Sequence, residues 1–192
     1  FLASCSPADT KVDISKVFRY NEHANITSLD PAFAKDQRNI WPCHQLYNTL
    51  IKLDEKLNTQ PDLARSWYIS DDGLTYTFQL KEDILFHPHE CFNNQSKRIV
   101  DADDVVFSLN RLRRKELASP GAWVMNNVDT IKTVDSQTVE IKLQKRFPAF
   151  LGLLSMKFCS IIPTEVKECN INLRNDPVGT GAFYLKRWEE NE

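Results

Sequence analysis

Leu74, Tyr76, Phe78 and Leu80 are apolar, and Thr75, Thr77 and Gln79 between them are polar. A period of two is the signature of a strand with one buried face. Such a strand needs partners to complete a sheet and a second layer to cover its apolar side. The residues just before it, Asp71-Asp72-Gly73, predict a hairpin turn, because Gly73 reaches positive φ at little cost. Residues 60–67 lead into the turn as a polar stretch that ends on Trp67. Past a loop, Asp101-Ala102-Asp103-Asp104 opens a helix with Val105, Val106, Leu109 and Leu112 on one face. Its carboxylates at the start and Arg111, Arg113, Arg114 and Lys115 at the end suit the helix dipole, each by about 0.3–1 kcal/mol.

The flanking chain repeats this alternation of hairpins and short helices. Val17-Phe18-Arg19-Tyr20 reads as a strand and Ser28-Leu29-Asp30-Pro31 as a turn, since proline fixes its own φ and restricts the residue before it. A helix is predicted over residues 38–50, starting near Asn39–Trp41 because Pro42 fits best in a first turn. Ile51-Lys52-Leu53 is a strand followed by a turn at residues 54–58. Residues 128–134 and 138–143 pair as a second hairpin across Asp135-Ser136-Gln137. Residues 147–154 are apolar on nearly every side and form a buried helix, too short to span a membrane. A buried strand is expected at Cys159-Ser160-Ile161-Ile162-Pro163, then a short helix over residues 164–169 capped by Thr164. Gly179-Thr180-Gly181 forms a sharp loop before a last strand, in which Phe183 and Leu185 alternate with Tyr184, Lys186 and Trp188.

Several functions are excluded by what is lacking. A net charge of −2 gives no basic face for nucleic acid. Catalysis finds no constellation: Asp71-Asp72 and Asp103-Asp104 occupy a turn and a helix start, where acids are expected on structural grounds. Ser119 and Ser160 have no nucleophile-elbow context. His87, His89 and Cys91 would share one side of an extended backbone, but Pro88 opposes that conformation and no fourth ligand is visible. No metal, cofactor or enzymatic activity is therefore expected. Beyond Cys5, Cys43, Cys91, Cys159 and Cys169 allow three disulfide pairings, and spacing does not choose among them.

Four blocks carry a resemblance. Pro61-Asp62-Leu63-Ala64-Arg65-Ser66-Trp67, Asp71-Asp72-Gly73-Leu74-Thr75-Tyr76-Thr77-Phe78, Phe86-His87 and residues 101–112, in this order and spacing, resemble the family 5 extracellular solute-binding proteins. These are the peptide- and nickel-type binding subunits of ABC transporters. The Leu29-Asp30-Pro31 turn and Asp176-Pro177-Val178-Gly179-Thr180-Gly181-Ala182-Phe183 are similar to family blocks too, with Ala182 where proline is usual.

The resemblance implies a mixed α/β fold: the N-terminal lobe of a two-lobed periplasmic-binding-protein type II architecture, with the second lobe outside this chain. It implies one discontinuous subdomain from residues 17–43 and 161–192, and an inserted hairpin-and-helix subdomain from residues 44–160. The function implied is that of a monomeric, extracytoplasmic subunit that captures a solute, peptide above all, in an interlobe cleft and delivers it to a membrane permease. A surface lipoprotein that binds a partner or polymer without transport is the alternative. Leu2-Ala3-Ser4-Cys5 fits the site at which bacterial lipoprotein signal peptides are cut, which makes Cys5 the lipid attachment point, residues 1–16 a signal remnant and tether, and the membrane a partner through that anchor only. Family members contact ligand through segments that map to Lys35-Asp36-Gln37, to the loop carrying Gly121 and Trp123, and to Gly179-Thr180-Gly181. Trp123 is expected to supply the cleft's aromatic wall, and the glycine loop to offer backbone groups to an extended solute.

Overall fold

The computed structural model describes residues 24–92 and 97–189. The lipid-attachment motif, the tether and the strand at residues 17–20 lie outside these. Within them, β1 (Ile51–Leu53) and β2 (Thr59–Pro61) form a small antiparallel pair. A four-stranded antiparallel sheet is built from β3 (Ala64–Ile69), β4 (Thr75–Leu80), β5 (Val128–Asp135) and β6 (Thr138–Leu143), in the spatial order β3-β4-β6-β5.

The alternation in β4 does what its period requires. Tyr76, Phe78 and Leu80 are buried, and Val139 and Ile141 of β6 stand opposite Phe78 and Tyr76. The layer over this apolar face is α2 (Ala102–Arg111), which contributes Ala102, Val105 and Leu109 to the same core and lies against β5 and β6. Asp101 caps its start in a full capping box: its side chain accepts from the Asp103 and Asp104 amides, and the Asp104 carboxylate accepts from the Asp101 amide. The hairpin before β4 turns at Gly73, whose φ is +67°. Residues 60–67 are more ordered than a lead-in, holding β2 and the start of β3.

Elsewhere the boundaries moved. The first helix, α1 (Gln37–Leu46), starts one residue before the expected range and stops four before its expected end, with Pro42 inside it. Asp36 explains the start, because its carboxylate accepts from the Asn39 amide as an N-cap. The apolar run at 147–154 yields a single short helix, α3 (Phe150–Leu154), with Phe150 and Leu154 buried. The strand expected at 159–163 is not one: Lys157–Cys159 is a 3-10 turn, and the extended residues after it join no sheet, although Ile161 donates to the Asn48 carbonyl. Residues 164–169 hold only a 3-10 turn, Thr164–Val166, with Pro163 at the cap position and no side-chain cap. The Thr164 amide is used instead by Asp104. No strand follows Gly181 among the described residues, because that segment hydrogen-bonds to the end of α1 rather than to a sheet.

Three long-range ties hold these pieces together. Arg98 donates from Nη1 and Nη2 to the buried Asp104 carboxylate at 3.0 and 2.7 Å, and from Nε to Glu165 at 2.6 Å. Arg111, at the end of α2, grips Asp30 of the Leu-Asp-Pro turn through two bonds of 2.9 and 2.5 Å. Cys91 is disulfide-bonded to Cys169, 78 residues away, while Cys43 and Cys159 are buried free thiols. The bridge resolves the pairing that spacing left open and removes Cys91 as a metal-binding thiolate.

A second apolar cluster, separate from the sheet core, joins Leu29, Ala34, Cys43, Leu46 and Tyr47 to Ile162, Val166 and Leu173.

Candidate ligand-binding site

Segments distant in sequence meet around the C-terminal half of α1. The last carbonyls of a helix have no partner within the helix. Here the glycine loop satisfies two of them: Gly181 donates to the Leu46 carbonyl at 2.9 Å and Phe183 to the Gln45 carbonyl at 3.1 Å. Such contact demands glycine, since a Cβ at Gly181 would stand 2.2 Å from the Gln45 oxygen and one at Gly179 2.0 Å from the Leu46 oxygen. His87 takes the loop's own carbonyls, with its amide on Gly179 and its Nε2 2.9 Å from the Gly181 oxygen. The backbone groups expected to meet an extended solute are thus largely committed inside the protein. Their effect is to fix the loop rigidly beside α1.

Against that loop lies an open groove of about 620 Å³. Lys35 and Gly181 both line it, so two of the three expected ligand-binding segments converge there. Met156, Phe158 and Leu53 give it an apolar side, and Lys52, Lys157 and Asp62 a charged one. The third segment supports it from behind. Gly121 packs so closely on Phe158 that an added Cβ would sit 2.3 Å from the ring. Ser119, in the same loop, donates to the Ala32 carbonyl at 2.6 Å and accepts from the Gly121 amide. Asp36 and Gln37 start α1 rather than line the groove, and Trp123, half exposed in the 3-10 turn Ala122–Met125, lies outside it.

A chain of polar contacts runs from the glycine loop to Asn48 and Asp62 in the lining of the groove. Thr180 donates to Asn48 Oδ1 at 2.9 Å, and Asn48 Nδ2 donates to Asp62 Oδ1 at 2.9 Å. The Thr49 amide takes the other oxygen of Asp62 at 3.1 Å. Both Asp62 oxygens therefore have donors. Lys157, part-buried in the lining of the groove, makes no hydrogen bond or ion pair through its ammonium among the described residues. Burial lowers its pKa, partly offset by the field of Asp62. Asn48 and Lys157 escaped sequence reasoning because each lies in an unremarkable stretch, Asp62 stood in a block that served only for the family resemblance, and only the fold brings the three to one surface.

Residues 58–192 match the model of the bacterial extracellular solute-binding proteins, family 5. The chain belongs to that family. Its sequence is 30% identical over 192 residues to the glutathione-binding protein GsiB of Escherichia coli, covering all of this chain and 35% of that protein. Among solved structures, the family member DppA from Helicobacter pylori, in complex with the peptide STSA, superposes with a TM-score of 0.77 at 30% identity over 88% of this chain and 36% of that one. NikZ from Campylobacter jejuni, in complex with Ni(L-His), superposes with a TM-score of 0.73 at 29% identity, over 87% and 32%. These family 5 relatives are binding proteins, not enzymes. The mixed α/β fold is that of a periplasmic-binding-protein type II lobe, and the chain spans about a third of the length of the relatives it matches.

Proposed function

We propose that the complete protein is the extracytoplasmic solute receptor of an ABC importer, and that peptides are the solutes it captures. The convergence of Lys35 and Gly181 on one open groove beside a fixed polar chain carries this reading. A groove of about 620 Å³ with an apolar side and a few convergent polar groups suits a small solute. GsiB and DppA support peptides as the class, since glutathione and STSA are both peptidic. The solute is held between this lobe and the rest of the protein, and closure around it is what the permease reads. Trp123, half exposed, is kept in this proposal as an aromatic contact for the solute.

The complete protein titrated with glutathione, Ser-Thr-Ser-Ala and Met-Leu should show a shift in tryptophan fluorescence and a rise in melting temperature with at least one of them. Failure of all three, and of a mixed peptide pool, would overturn the peptide assignment. Equal affinity in Trp123→Ala would remove that residue from the site.

Two further readings belong to the same proposal. Cys5 carries the lipid that tethers the receptor, so the protein expressed with its native signal should incorporate labelled fatty acid and partition with membranes. Unchanged partition of Cys5→Ala would sink the anchor. Residues 17–43 and 161–192 form one subdomain around the insert at 44–160, a division that the second apolar cluster supports in part, since it joins Leu29 and Cys43 to Ile162 and Leu173 but also takes in Leu46 and Tyr47.

A further inference from the structure

His87, His89 and Cys91 stand at alternate positions, and all three reach the same later stretch of chain. The His87 amide donates to the Gly179 carbonyl at 2.8 Å, and its Nε2 is 2.9 Å from the Gly181 oxygen. His89 Nε2 lies 3.2 Å from Asp176 Oδ2, and Cys91 is disulfide-bonded to Cys169. The proton positions follow from the partners. A carbonyl oxygen only accepts, so His87 donates from Nε2. His89 accepts the Cys91 amide at Nδ1, which leaves its proton on Nε2, facing Asp176. Both contacts are thus made by uncharged rings. His87 Nδ1 is buried without a partner among the described residues, so the ring's hydrogen bonding goes to the glycine loop alone.

We propose that His87 is a positioning residue of the solute site: it holds Gly179-Thr180-Gly181 in the arrangement that receives the solute, and His89 and Cys91 brace the backbone from which it acts. This rests on the reading of the groove as the solute site and adds to it a residue outside the groove lining that sets the affinity. The route is short. Gly181 lines the groove, and Thr180 donates to Asn48, which donates in turn to Asp62. Each of these contacts starts from where the loop stands. The loop's amides fix it on one side, with Gly181 on the Leu46 carbonyl, and His87 fixes its carbonyls on the other. Glycine loses more backbone freedom on ordering than any other residue. With the histidine contact gone, the solute would have to order the loop itself, at a cost in affinity. The flanks are tied as well. Asp176 stands three residues before Gly179 and is exposed, so its pair with His89 is a weak tie, whereas the bridge to Cys169 is covalent.

The test measures peptide affinity and amide hydrogen exchange on the complete protein. His87→Leu removes the side-chain bond to Gly181, and His87→Gln restores a donor at a similar reach; His87→Phe serves if the leucine variant folds poorly. His87→Leu should bind about fivefold more weakly than the parent, the worth of one neutral hydrogen bond, and His87→Gln should recover most of that loss. Gly73→Val, in a hairpin turn that is not part of the groove lining, should bind like the parent although it is less stable. Equal affinity in His87→Leu, or an equal loss in His87→Gln or Gly73→Val, would overturn the proposal. Exchange at the Gly181 and Phe183 amides reads the clamp without any solute. Their protection should fall in His87→Leu and return in His87→Gln, and unchanged protection in His87→Leu overturns the clamp. If no peptide binds the parent, the peptide reading fails separately, and the exchange result alone upholds or overturns His87 as the residue that positions the loop.

Discussion

Gly73 shows how much one backbone position fixes. At φ +67° it occupies a region that side-chain-bearing residues rarely adopt, and Arg146 wraps the turn by donating to the Asp71 and Asp72 carbonyls, both at 2.9 Å. A Cβ would also stand 2.8 Å from Arg146 Nε. Gly73→Val should therefore lower stability by at least about 1 kcal/mol in urea denaturation, from backbone strain before any loss of the arginine contacts. A variant as stable as the parent would mean the turn relaxes without cost. Gly179 and Gly181 are constrained differently. They are needed because carbonyls of α1 lie within 2.2 Å of where a side chain would begin.

Among elements, the ties between non-neighbours carry the largest expected effects. Arg98 connects the strand-like segment ending at Val100, the start of α2 through Asp104, and the Thr164–Val166 turn through Glu165. Removing it leaves the Asp104 carboxylate buried without its cation, although two backbone amides still donate to it. Arg98→Met should cost about 3–5 kcal/mol, the usual penalty for breaking a buried pair from one side. A loss below 1 kcal/mol would show that the amides alone sustain Asp104. The Cys91–Cys169 bridge closes a loop of 78 residues. The double variant Cys91→Ala/Cys169→Ala should lose about 2–4 kcal/mol, and equal stability of the oxidised and reduced parent would remove the bridge as a stabilising element.

At the scale of the whole molecule, the groove and the stability of the fold pull against each other at Lys157. Burial lowers its pKa from the ordinary value of 10.5, so between its folded pKa and 10.5 the unfolded chain binds more protons than the folded one. Stability from this group therefore rises with pH across that window, and the penalty for holding the charge is greatest below it. Lys157→Met should be more stable than the parent by about 1 kcal/mol near neutral pH. That advantage should shrink as pH climbs toward 10.5, as measured by denaturation at a series of pH values. A destabilised methionine variant would mark Lys157 as a packing residue. A gain of stability is the pattern expected where a part-buried charge is maintained at the expense of the fold.

Local periodicity was enough for the elements whose stability is local. The alternation of β4, the second hairpin and the capped amphipathic α2 could all be read from residues within one turn or one strand of each other. So could Gly73, because its conformation is a property of its own turn. What required the tertiary structure were the features settled by partners far along the chain. The segments after Cys159 and Gly181 look like strands by composition, yet they pair with no sheet because Asn48, Gln45 and Leu46 take their amides. Thr164 resembles an N-cap, but Pro163 holds the cap position and the Thr164 hydroxyl is engaged by Arg98 and Glu165 instead. The same holds for the site. Lys35 and the glycine loop were visible through family resemblance, whereas Asn48, Asp62 and Lys157 became neighbours only when α1, β1 and the Lys157–Cys159 turn packed together. Hydrogen bonding and charge act over a few ångströms of space, and the sequence does not state which residues share them.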